Sequence, residues 1–429
     1  MFASQVRSSS QPPMGAARPS GLAWFLALVA FGCSCAATPS AQAQTLTVLY
    51  NFLGTPDGFN PYAPLIRDTL GNLYGTTVGG GSYPGCSDLG CGTVFELSSN
   101  GVETVLHSFR GGTSDGSALY GGLLRDAAGN LYGTTYGGGA YGNGSVFKLN
   151  GAGKERKLLY SFKGGADGVG PVSALTLDSA GNLYGTTSTG GTGTCYSTGC
   201  GTVFMVSPTG VETVLHSFLG GADGLYPESE LVRDAAGNLY GTTQNGGVSK
   251  TNCGNNGIQG CGTVYMITTA GVEAVLHSFA GGATDGVSPA SVIIGAGGNL
   301  YGITEGGGTY GYGAVFELTP TTGTEKLLYS FGGYVGDGIS PYLARLTPDG
   351  AGNFYGTTAL GGGGCGGAGC GTIFKVTKAG VESVVYSFAN RTEGCSPEAG
   401  LIDDGAGSFY GTTLGCGTAG WGTVFKFTP

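Results

Sequence analysis

The chain has 429 residues, 90 of them glycine, with only 10% charged and a formal net charge of −9. No cluster of Lys and Arg occurs, which excludes the electrostatic footprint of a nucleic-acid or anionic-lipid binder. The glycine content is not that of a disordered linker, because Val, Leu, Tyr and Phe recur between the glycines in register.

Residues 1–43 read as a secretory signal. Arg7 and Arg18 give positive charge, and Gly21 to Gly32 (GLAWFLALVAFG) is an apolar run too short for a comfortable spanning helix. Ala41-Gln42-Ala43 is a small-x-small cleavage site, leaving Gln44 as the first mature residue. Lipoprotein processing at Cys33 is one alternative, although Ala30-Phe31-Gly32 fits a lipobox poorly; an uncleaved anchor is the other. Removing the two arginines takes the net charge from −9 to −11. The expected location of residues 44–429 is secreted, extracellular or periplasmic.

The next segment, Thr45 to Phe52 (TLTVLYNF), has the composition of a strand and matches later segments such as Glu103 to Phe109 (ETVLHSF). The marker GNLYGTT follows, beginning at Gly71, Gly129, Gly181 and Gly237, with near-copies at Gly298, Gly352 and Gly407. Spacings of 58, 52, 56, 61, 54 and 55 residues identify a tandem repeat. Each unit holds four strand-like segments, seen in the second unit as Gly122 to Asp126, Leu131 to Thr135, Ser145 to Leu149 and Lys157 to Phe162. Gly, Asn, Asp or Pro bounds each of them. No sustained 3.6-residue apolar period appears, so almost no helix is expected.

Seven units of four strands predict an all-β, seven-bladed β-propeller over residues 44–429; an open β-solenoid is the alternative. Seven third strands follow Gly92, Gly144, Gly201, Gly262, Gly313, Gly371 and Gly422. Seven fourth strands end at Phe52, Phe109, Phe162, Phe218, Phe279, Phe331 and Phe388. The unit closing at Pro429 lacks a fourth strand, and Thr45 to Phe52 supplies one. That ring closure favours the propeller, which leaves no end edge exposed.

The combination GNLYGTT, Gly-rich loop, GTVF, then VLHSF-GG-x-DG-x-x-P resembles the GloVer (Gloeo/Verruco-type) tandem-repeat family of secreted bacterial proteins. The resemblance covers residues 45 to 429 and implies an exported, β-propeller-like repeat protein whose biochemical role is not established. Some members carry C-terminal surface anchors. No hydrophobic tail or basic stop sequence follows the last strand, so none is expected here.

Ten cysteines lie beyond the signal. Cys86 and Cys91, Cys195 and Cys200, and Cys365 and Cys370 share one spacing; Cys253 and Cys261 occupy the same loop, and Cys395 and Cys416 remain for the last unit. Five disulfides are expected. Cysteine appears only where this loop is long, and closing a short loop contributes roughly 2 kcal/mol. The pairs lie in different units without interleaved His, so no metal is expected.

The loop between second and third strands and the loop leading to the next blade vary, and variable loops on one rigid face are where recognition usually sits. That face carries Asp57, Asp115, Asp167, Asp223, Asp285 and Asp337, with Glu393 in the seventh place. One reading makes them a ligand-binding ring of carboxylates around the channel, able to hold a cation such as calcium or to hydrogen-bond sugar hydroxyls. The other makes them turn residues, because Asp-Gly is a favoured turn pair. Asp68, Asp126, Asp178, Asp234 and Asp349 mark hairpins, and Gly295 replaces them once. His107, His216 and His277 share a repeat position with Tyr50, Tyr160, Tyr329 and Tyr386, which indicates a half-buried packing site with a polar tip. Lys154-Glu155-Arg156-Lys157 reads as a solvated turn tip.

Catalytic signatures are absent: no G-x-S-x-G elbow, HExxH or phosphate loop is present. Glu228 and Glu230 break the repeat in an inner strand, as do Arg345, Arg391 and Glu398 elsewhere. The expected function is a non-catalytic binding or structural module, monomeric and without a cofactor. Its expected ligand is a glycan or an extracellular or cell-surface protein. The alternative is a glycan-active hydrolase or lyase using Glu228 and Glu230.

Overall fold

The computed structural model describes residues 44–83, 86, 89–151, 156–195, 197–249, 253 and 260–429. The signal expected at residues 1–43, and Lys154 and Glu155 of the charged turn, lie outside them.

Seven antiparallel sheets of four or five strands form the blades. The first blade runs Ile66–Arg67, Leu73–Thr77, Thr93–Leu97 and Glu103–Ser108 from inner to outer strand. The last blade runs Ile402–Asp403, Phe409–Thr413, Thr423–Thr428 and then Thr45–Asn51. Thr45 pairs with Thr428 and Asn51 with Thr423, so the first described strand closes the ring. Among the described residues there is no α-helix; two three-residue 3-10 turns, Gly165–Asp167 and Gly221–Asp223, are the helical segments.

Every residue of GNLYGTT has a physical task. In the first blade Asp68 Oδ1 accepts the backbone N–H groups of Leu70 and Asn72, at 2.9 Å each. Its Oδ2 accepts the Asn72 side chain and the Tyr74 hydroxyl, at 3.1 Å each. Gly71 has φ +88°, a conformation that costs glycine nothing. Leu73 is buried in the core. At Gly75 a Cβ would lie 2.6 Å from the Phe95 ring, so the third-strand Phe can cross the second strand only over a glycine. Thr76 donates to the Gly121 carbonyl of the next blade at 3.1 Å, and Thr134, Thr186 and Thr357 make the matching bond between later blades. Thr77 meets Thr93 hydroxyl to hydroxyl at 2.8 Å inside the sheet. The hairpin acids are structural, as read from sequence. Where Gly295 replaces the acid, Glu317 receives Asn299 and Tyr301 instead, at 2.7 Å each.

Blades adhere through one aromatic pair per junction. Each outer-strand Phe meets the third-strand ring of the following blade: Phe52–Phe95, Phe109–Phe147, Phe162–Phe204, Phe218–Tyr265, Phe279–Phe316, Phe331–Phe374 and Phe388–Phe425. The centroids are 4.9 to 5.4 Å apart in edge-to-face geometry. Such pairs contribute about 0.5–1.5 kcal/mol each beyond the area they bury. The seven outer-strand phenylalanines are fully buried.

The five expected disulfides are formed: Cys86–Cys91, Cys195–Cys200, Cys253–Cys261, Cys365–Cys370 and Cys395–Cys416. The first four close the loop between second and third strands. The fifth ties the last blade's entry loop to the same loop position. Among the described residues no helix is long and apolar enough to cross a membrane.

Candidate functional site at the channel mouth

The inner strands leave a cavity of about 340 Å³ at the centre of the ring. One repeat position dominates it. The residues after Pro61, Leu119, Pro171, Pro227, Pro289, Pro341 and Pro397 are Tyr62, Tyr120, Val172, Glu228, Ala290, Tyr342 and Glu398. The anchoring residue before each is uniform in role, packing on the glycine that precedes a third strand of the neighbouring blade, as Pro227 does on Gly201. The residue after it differs from blade to blade. Five of the seven line the cavity directly: Tyr62, Tyr120, Val172, Glu228 and Ala290.

Tyr62 packs edge-on against Tyr120 at 5.4 Å, and Tyr120 against Tyr136 at 5.6 Å. The Tyr62 hydroxyl donates to Tyr342, and burial raises both phenols. Three carboxyls face this aromatic arc. Burial pushes Glu228 and Glu398 up to about 7. Glu305 is pushed to about 8, by burial first and then by Glu228 and Glu398, against a lowering hydrogen bond from the Leu343 backbone. Its Oε1 is buried without a hydrogen-bond partner. A carboxyl pushed up to this range is protonated in part at neutral pH, and a protonated carboxyl donates as well as accepts. Glu230, in the same lining, is held in an ion pair: its Oε2 binds Arg345 Nη1 at 2.7 Å.

Glu228, Glu230, Arg345 and Glu398, which depart from the repeat in sequence, come together at this place in the structure. Arg391 is exposed in the last entry loop, away from the cavity lining. Glu305 does not stand out in the sequence, because Thr-Glu-Gly-Gly reads as the start of a glycine loop. The available signal was its uniqueness: Val78, Tyr136, Ser188, Gln244, Ala359 and Leu414 hold that place in the other blades.

The acid ring does not surround the channel. Asp57, Asp115, Asp167, Asp223, Asp285, Asp337 and Glu393 sit against the outer strands, at the junctions between blades. Each except Asp285 accepts a hydrogen bond from the His or Tyr of the preceding outer strand: Tyr50–Asp57 at 2.9 Å, His107–Asp115 at 3.3 Å, Tyr160–Asp167 at 2.6 Å, His216–Asp223 at 3.2 Å, Tyr329–Asp337 at 2.7 Å and Tyr386–Glu393 at 3.0 Å. His277 Nε2 lies 3.4 Å from Asp285. Backbone N–H groups of the same loops, such as Leu53 and Leu219, complete the shell. The physical reason is chain direction: these acids follow the outer strand by only a few residues, before the chain travels inward. His and Tyr share a repeat position because either presents a polar tip to this acid.

A second acid enters five junctions from the next outer strand. Burial first, and the loop Asp second, push Glu103, Glu212, Glu325 and Glu382 up to about 7 and raise Glu273. The sixth junction has Arg156 in place of this Glu, with Nε 3.4 Å from Asp115 Oδ1. Burial acts upward on Asp115, but His107, Gly116 and Arg156 together hold its carboxyl below the usual range. Arg156 is thus an interior ion-pair partner and not part of a solvated tip, because the preceding blade's acid lies beside it. The seventh junction has Leu46 at the position.

The model of the Gloeobacter/Verrucomicrobia repeat matches residues 35–255 and 251–429, so the chain belongs to that family. No curated protein matches the sequence. Among solved structures, the chain is similar to virginiamycin B lyase from Staphylococcus aureus, with 14% identity and a TM-score of 0.54 over 90% of this chain and 99% of that one. It is also similar to an oligogalacturonate lyase in complex with manganese, with 14% identity and a TM-score of 0.53 over 91% and 94%. A puromycin hydrolase gives 12% identity and a TM-score of 0.53 over 84% of this chain and 50% of that one. At these identities the likeness is one of fold.

Proposed function

We propose that this member of the Gloeobacter/Verrucomicrobia repeat family is an exported, non-catalytic binding module that holds a glycan at the channel mouth. The observation that carries the reading is the divergence of one repeat position around the cavity, into Tyr62, Tyr120, Val172, Glu228, Ala290, Tyr342 and Glu398. A position used only to hold blades together has no reason to vary in this way, since the neighbouring Pro and Gly positions stay nearly uniform. Tyrosine faces offer apolar contact to a sugar ring, and half-protonated carboxyls match hydroxyls that both donate and accept. Export is supported by the five disulfides, which persist in oxidising compartments. The lyases named above resemble the chain in fold alone, so their reactions are not carried over.

A polysaccharide and glycan-array screen on the purified protein tests this. The reading expects saturable binding that Tyr62→Ala and Glu228→Gln each weaken at least tenfold. Failure of every glycan to bind the folded protein would overturn it.

One observation favours a catalytic second reading. Burial pushes Glu228, Glu305 and Glu398 up to about 7, 8 and 7 where they meet around the cavity. A general acid requires a proton held near neutral pH. Product analysis on any glycan that binds separates the two: a ligand released unchanged supports the module, and shortened or unsaturated products support the enzyme.

A further inference from the structure

We infer that two blade junctions, His216 with Asp223 and Glu273, and His277 with Asp285 and Glu325, are binding sites for a divalent metal of the zinc class. In each group one imidazole nitrogen and two carboxylate oxygens lie within 4.8 Å of one another. Imidazole with carboxylate is a donor set that suits Zn²⁺. His216 Nε2 lies 3.2 Å from Asp223 Oδ1, and His277 Nε2 lies 3.4 Å from Asp285 Oδ2. Two ligands bonded at about 2.1 Å to one tetrahedral zinc are about 3.4 Å apart, so both pairs already have a chelating separation. His277 Nε2 is buried without a hydrogen bond, and so are Glu273 Oε1 and Glu325 Oε1; Glu103, Glu212 and Glu382 leave the same oxygen unpaired at junctions that have no imidazole. Water or a substrate would take the fourth position, as in open zinc sites.

The chain contains its own control. The third His–Asp pair, His107 with Asp115, has Arg156 where the other two have Glu. A fixed positive charge therefore stands in the sixth junction at the place a cation would take in these two. At Tyr50, Tyr160 and Tyr329 the imidazole is replaced by a hydroxyl that donates to the loop acid, which removes the nitrogen ligand. The two complete sites adjoin one blade. His216 and Asp223 come from the blade before Glu273, and His277 and Asp285 from the blade before Glu325. A bound ion links neighbouring blades at each seam and neutralises a pair of carboxylates.

Zinc titration of the chelator-stripped protein by calorimetry tests the inference. Two ions per chain are expected, with a tetrahedral cobalt absorption band on substitution by Co²⁺. His216→Tyr and His277→Tyr should each remove one ion while the protein stays folded, because Tyr occupies this position in four other blades. Arg156→Glu should raise the count to three. Circular dichroism confirms folding in each case. The inference is overturned if the folded protein takes up no zinc, if it takes up calcium but not zinc, or if the double Tyr variant keeps both ions. An unchanged count in folded Arg156→Glu would remove the argument from Arg156. None of these readouts depends on glycan binding.

Discussion

The blade junctions and the channel mouth are built from the same repeat, yet they vary in opposite ways. At the junctions an outer-strand Phe meets a third-strand Phe or Tyr seven times over, in nearly constant geometry. At the mouth one repeat position takes four residue types in seven blades. The junction is a packing problem with one good solution, and a ring requires that solution in every copy. The mouth faces open space, where packing imposes no choice, so residue identity is free to serve a ligand. The difference shows where to look for function in a repeat protein: where copies that share a backbone stop sharing side chains.

The largest expected effect breaks the uniform region. Phe218→Ala removes a fully buried ring from the Tyr265 contact and should cost about 3–5 kcal/mol, read from urea unfolding. Gly133→Ala should also lower the unfolding midpoint, because its Cβ would lie 2.6 Å from the Phe147 ring. Next comes covalent closure. Replacing Cys395 and Cys416 with Ser opens a 21-residue separation and should cost about 3 kcal/mol by chain entropy. Removing Cys195–Cys200 should cost nearer 2 kcal/mol. Paired thermal melts of the two double variants compare them.

A smaller effect concerns pH and involves both regions. Glu103, Glu212, Glu325 and Glu382 at the junctions, and Glu228, Glu305 and Glu398 at the mouth, titrate at about 7 to 8 against an ordinary 4.5. The folded protein therefore binds more protons than the unfolded chain between these values. The stability these groups contribute is full below about pH 4.5 and is lost as pH rises through 7 to 8. Asp68, Asp126, Asp178, Asp234, Asp349 and Asp404 have the opposite sign: their lowered pKa values contribute stability that is lost as pH falls below the usual carboxylate range. Thermal unfolding in chelator should show a midpoint that falls by several degrees from pH 5 to pH 8.5. Zinc should restore part of the loss at the high end.

The legibility of the two regions differs for the same reason. The blade count, the closing strand, the disulfide pairs and the hairpin acids are legible in sequence, because the same pattern recurs seven times and each unit can be set against the others. Glu228, Glu230, Arg345 and Glu398 were readable as departures from the repeat. Two kinds of information were not. Radial position is lost in sequence, so the Asp-Gly turns at the outer strands leave two readings open there, a ring around the channel and plain turn residues. Contacts between blades are lost too: Arg156 reads as part of a charged turn until Asp115, from the preceding blade, is found beside it. Glu305 was hidden because its neighbours are loop glycines.

The division of labour between the two regions can be tested in one paired experiment. Phe218→Leu and Tyr62→Ala are each measured for unfolding midpoint and for affinity toward a glycan found in the array screen. The account expects Phe218→Leu to lower the midpoint by several degrees and leave affinity within twofold. It expects Tyr62→Ala to leave the midpoint within about two degrees and weaken affinity at least tenfold. Tyr62→Ala destabilising the ring while sparing affinity would contradict it, and would make the mouth another part of the packing.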